Sequence, residues 1–121
     1  MLIDSCGILG VTMVLGLVLV GLHAMRRGAA LRLIGPLHGM LGALGLSLLL
    51  VALRGPARGV ATGVGSFGVI SAVLLGLALA AGLLVLATSR RRRDPMLAIG
   101  LHATLAIFGI VLLAAYATAP A

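Results

Sequence analysis

Residues 37–49 read LHGMLGALGLSLL, and residues 101–113 read LHATLAIFGIVLL. Each stretch has one imidazole at its start and small residues behind it. At +4, +7 and +11 from His38 stand Gly42, Gly45 and Leu49. At the same distances from His102 stand Ala106, Gly109 and Leu113. In an α-helix those spacings form one stripe. Both stretches belong to apolar runs of about 20 residues, the length a helix needs to cross a bilayer.

Outward from these two runs the pattern repeats. Four spans are predicted, at roughly 7–24, 34–53, 67–88 and 97–116. The expected fold class is an all-α integral membrane protein: one domain, 1–121, forming a four-transmembrane-helix bundle. Composition agrees, with 62% hydrophobic residues and a mean hydropathy of +1.31, far above a soluble domain. Pro36 and Pro95 are expected at or just before helix starts, where a missing N–H costs least. The first apolar run is too long for a signal peptide and lacks a basic n-region, so it is expected to be retained.

The ionic inventory is nine arginines, Asp4 and Asp94, with no Lys, Glu, Asn, Gln or Trp. The arginines all fall between apolar runs, so they read as topology signals and headgroup contacts. A nucleic-acid surface is not expected, because stacking needs aromatics and the chain has only Phe67, Phe108 and Tyr116. Arg26, Arg27 and Arg32 lie in the first connection, Arg54 and Arg58 in the second, Arg90 to Arg93 in the third. The positive-inside rule then puts connections one and three in the cytoplasm. The expected location is a bacterial inner membrane, multi-pass, with both termini periplasmic.

An ungapped shift of 64 residues superposes Arg26-Arg27 on Arg90-Arg91, Leu37-His38 on Leu101-His102, and Gly45 on Gly109. Two similar helical hairpins in a parallel pseudo-repeat are therefore expected. Span three adds Gly68, Ala72, Gly76 and Ala80 at four-residue spacing, a stripe that lets helices approach closely. The hydroxyls of Thr12, Ser47, Ser71 and Thr104 read as bonds to helix backbone.

His38 and His102 are level under this scheme, each four or five residues into its span from the cytoplasmic end. Ionisable groups at membrane depth default to function. Two level imidazoles on different helices resemble the haem-ligating logic of b-type membrane cytochromes. That resemblance implies haem b, with His38 and His102 as metal ligands. Gly42, Gly45, Ala106 and Gly109 would line the cofactor, and loop arginines would meet its propionates. Three histidines allow one bis-His haem within the chain, not two. Two other roles suit the same residues: polar contacts between helices, and a proton or quinone function. His23 has no counterpart at position 87 and reads as interfacial. The lone Cys6 excludes an internal disulfide and reads as a small hydrophobe.

Other classes drop out. There is no membrane Glu for small proton-coupled drug exporters, and no Asn for small fluoride channels. No nucleophile–base pair suits hydrolysis. Gly63 to Gly68 matches GxGxxG but opens an apolar span, not a βαβ unit. The chain is not expected to be an enzyme on its own. It is expected to sit in the lipid bilayer with other membrane-protein subunits. Its role would be a small subunit of a respiratory or photosynthetic electron-transfer complex. The alternative is a structural accessory subunit without cofactor.

Overall fold

A computed structural model describes residues 1–90 and 96–120, with side chains in the third helix described through Ala87. Four helices run in order: α1 Leu2–Ala24, α2 Gly28–Ala52, α3 Phe67–Arg90 and α4 Met96–Thr118. No strand occurs among the described residues. All four helices are long and apolar enough to cross a membrane. The third arginine cluster from Arg91, with Asp94 and Pro95, lies outside the described residues.

Helix boundaries depart from expectation in the first hairpin. α2 starts at Gly28, not near residue 34, so Arg32 and Pro36 lie inside it. Pro36 removes one backbone N–H, which would have met the Arg32 carbonyl, and its ring lies on an exposed face. The helix therefore continues through it. The connection from α1 closes with Arg27 N–H donating to Leu22 O and Arg26 N–H to His23 O, both at 3.0 Å. Arg26 has φ +54°. This is a Schellman stop with arginine where glycine is usual. It needs no linker residues, so α2 can start at once.

Around the bundle, each helix packs on its chain neighbours and α1 closes the ring against α4. Packing is denser within each hairpin than between them. α2 and α4 stand diagonally across the bundle, as do α1 and α3. The core is Leu9, Leu49, Ala72, Leu75 and Leu113, with Leu2, Cys6, Leu46, Leu53 and Ile110 packed against it. This core fills the half of the bundle nearest the α2–α3 connection. That connection is tied down by Gly59 N–H to Pro120 O and Arg58 Nη2 to Ala119 O, each 3.0 Å. Gly59 is required there. Its φ is +66°, and a Cβ would collide with Val64 and, at 2.9 Å, with Ala119.

Toward the opposite end the buried residues, among those described, are Ala78 and Ala81 of α3. No residue from Met13 to Leu44, and none from Met96 to Phe108, is buried. The outer faces carry large apolar side chains such as Leu33 at 78% and Leu97 at 87% exposure. A water-soluble monomer seldom shows so much apolar surface.

Candidate functional site

The two half-bundles meet at the histidines. His38 projects from α2 and His102 from diagonal α4, and their ring centres stand 5.8 Å apart with planes at 73°. Both rings are partly buried. His38 Nδ1 donates to Thr12 O at 2.9 Å, and His102 Nδ1 donates to Ala78 O at 2.7 Å. A carbonyl oxygen can only accept, so each neutral ring carries its proton on Nδ1. Each Nε2 then holds a lone pair. Both rings are anchored by a helix of their own hairpin while they approach the other hairpin.

His38 lies farther along its helix than expected. α2 begins six residues earlier than predicted, so His38 lies about 15 Å along it at 1.5 Å per residue. The anchoring carbonyls belong to the eleventh of the 23 residues of α1 and the twelfth of the 24 in α3. The imidazoles therefore sit level with the middle of α1 and α3, while His102, the seventh residue of α4, keeps the expected place near the start of its own helix. His23 is exposed in the last turn of α1 and takes no part.

The small residues behind the histidines face neighbouring helices. A Cβ on Gly45 would meet Leu9 Cγ at 2.7 Å, and one on Gly109 would meet Leu75 Cγ at 2.8 Å. Gly42 faces the Thr12 methyl, and Ala106 is half-buried. The expected room beside Gly45 and Gly109 is filled by leucines. Helix geometry explains this: Cα–Cβ bonds tilt toward the helix N-terminus, so both rings lean away from their +4 and +7 neighbours. The sequence reading missed two contacts on that other side. A Cβ on Gly16 would lie 3.0 Å from His38 Cε1, and one on Gly82 would lie 3.1 Å from His102 Nδ1.

Serines complete the frame. Ser5 Oγ donates to Gly45 O at 2.9 Å and Ser71 Oγ to Gly109 O at 2.7 Å, both fully buried. Ser71 was expected to bond within its own helix, but it reaches across to α4. Thr12, Ser47 and Thr104 do bond their own helices. In α3 the buried positions are Gly68, Ser71, Ala72, Leu75, Ala78 and Ala81, while Ala80 is exposed. The α3 stripe thus advances mainly in three-residue steps, not in a strict four-residue row.

Comparison with family models, curated proteins and solved structures finds no match to this chain.

Proposed function

We propose that this chain spans a membrane four times as two hairpins of a parallel pseudo-repeat, and that His38 and His102 together hold one haem b. The observation that carries the reading is the imidazole pair at 5.8 Å, each ring fixed through Nδ1. With each proton on Nδ1, the Nε2 lone pairs of His38 and His102 would be the atoms that hold the iron. Nδ1 anchored on a backbone carbonyl is the usual outer partner of a metal-bound histidine. Arg26, Arg27 and Arg32 stand toward the end of the bundle away from the buried core, with charge for propionates. Bound there, a bis-His haem supplies one-electron transfer. Membrane insertion is supported by the four apolar helices and by the exposed leucines and valines. The repeat is supported by the matched contacts: Ser5 and Ser71, Leu9 and Leu75, Thr12 and Ala78, Gly16 and Gly82.

In this reading the chain acts within a larger electron-transfer assembly as a small subunit of it. The test is a dithionite-reduced minus oxidised visible spectrum of the protein purified with haem supplied. A bis-His signal is expected, and His38→Ala or His102→Ala each abolishes it, while His23→Ala leaves it intact. A wild-type protein that takes up no haem, even on reconstitution, overturns the reading. A second reading is a structural accessory subunit. It is favoured by the fact that each Nδ1 is already satisfied within its own hairpin, so the rings also serve as polar contacts between helices. Under it, each His→Ala change costs only stability, on the order of 0.6–2 kcal/mol.

A further inference from the structure

We propose that Gly16 and Gly82 are the positioning residues of the histidine pair, setting the ring planes and holding the Nδ1 bonds. The inference rests on the haem reading for its functional meaning, but its geometry stands apart from it. Gly7, Gly10, Gly21, Gly28, Gly35, Gly39 and Gly100 all have open space where a Cβ would stand. The contacts at Gly16 and Gly82 are of another kind, since the nearest atoms all belong to an imidazole: Cε1, Nδ1 and Nε2 of His38 for one, Nδ1 and Cε1 of His102 for the other. At 3.0 to 3.2 Å a methyl is tighter than ordinary contact allows, and an imidazole has no flexible end that can bend away. The ring must turn or withdraw as a body. Either motion, by a few tenths of an ångström, acts on a ring whose Nδ1 bond is 2.9 Å at Thr12 O or 2.7 Å at Ala78 O.

Placement supports the assignment. Gly16 lies one turn beyond Thr12 on α1, and Gly82 one turn beyond Ala78 on α3, so carbonyl and glycine face the ring from one helix face. The carbonyl fixes the proton on Nδ1, and the glycine lets the ring come close enough to reach it. Together they leave Nε2 as the free donor atom. Outer groups of this kind commonly change metal affinity 10- to 100-fold.

The experiment compares Gly16→Ala and Gly82→Ala with Gly100→Ala, whose methyl enters open space. The first readout is ¹⁵N-histidine NMR of the haem-free protein in detergent. Wild type and Gly100→Ala should show His38 and His102 as a single Nδ1–H tautomer. Gly16→Ala should release His38, and Gly82→Ala should release His102. The second readout is titration with hemin, where both variants should bind on the order of tenfold or more weakly than Gly100→Ala. Should wild type bind no hemin, the haem reading fails while the tautomer measurement still tests the glycines. Identical histidine spectra in all the variants would overturn the proposal. A third arm covers loss of folding. In Gly16→Ala/His38→Ala the methyl gains the room the ring left, so the pair should melt no lower than His38→Ala alone. A further drop would mean that Gly16 serves some other contact, and would also overturn the proposal.

Discussion

Arg26 holds a left-handed conformation that suits glycine. It does so because the stop of α1 needs that backbone at C′, and its charge lies in a connection where arginine serves topology. Replacing it removes a steric cost of roughly 1 kcal/mol. Arg26→Gly should therefore raise the thermal midpoint in detergent, whereas Arg27→Gly, at a residue without positive φ, should not. Equal effects from the two would show that charge, not backbone, governs the turn. Charge was plain in the sequence; the strained backbone was not, since nothing marks position 26 as C′ until α2 is seen to begin at Gly28. The histidines are the opposite case. Their importance was legible from composition alone, because so few polar groups interrupt the apolar runs. Their true neighbours were not, because the lean of side chains toward the helix N-terminus exchanges Gly42 and Gly45 for Gly16 on another helix.

Between helices, glycines and leucines interlock. Gly45 receives Leu9 and Gly109 receives Leu75, at the packed end where the core lies. Gly45→Leu should overpack this contact by about 1–3 kcal/mol, read as a lower melting temperature in detergent. An unchanged value would mean that α1 and α2 can separate there without loss. Ser71→Ala removes a buried bond, yet the Gly109 carbonyl keeps its place in the α4 ladder. The expected cost is only about 0.6 kcal/mol, with about 1.7 as the ceiling for such bonds. Ser5→Ala should match it, and a large inequality would argue that the two hairpins are not equivalent. Their correspondence was half legible. The shift of 64 residues relates His38 to His102 and Gly45 to Gly109. The contacts of α1 and α3 instead match at 66: Ser5 with Ser71, Leu9 with Leu75, Gly16 with Gly82. The second hairpin reaches the same pairings with two fewer residues, seen in separations of 26 and 24 for the histidine bonds. An ungapped comparison cannot pass that difference, so Gly16 and Gly82 stayed hidden.

Across the whole molecule, charge and packing are opposed. The buried core lies toward the α2–α3 connection, while Arg26, Arg27 and Arg32 stand toward the other end. Seven of the nine arginines lie in or beside the α1–α2 and α3–α4 connections in sequence, Arg32 within the first turns of α2 and Arg90 at the end of α3. The four-helix count follows from apolar length alone. Depth does not, since it depends on where α2 begins, and Pro36 gave a false start. In the proposed orientation the arginine-rich end faces the cytoplasm, because arginine-rich short loops resist translocation. An even number of spans then puts both ends of this chain on the far side. A fluorescent reporter that folds only in the cytoplasm, fused after the last residue, should stay dark. The same reporter inserted between Arg26 and Arg27 should be bright. Moving the bias tests the cause: Arg26→Ala, Arg27→Ala and Arg32→Ala together strip the arginines from the α1–α2 connection and the first turns of α2, and should raise the share of molecules with a bright terminal reporter. A bright terminus in the unaltered chain would invert the orientation. The arginine-rich end of the bundle would then face away from the cytoplasm.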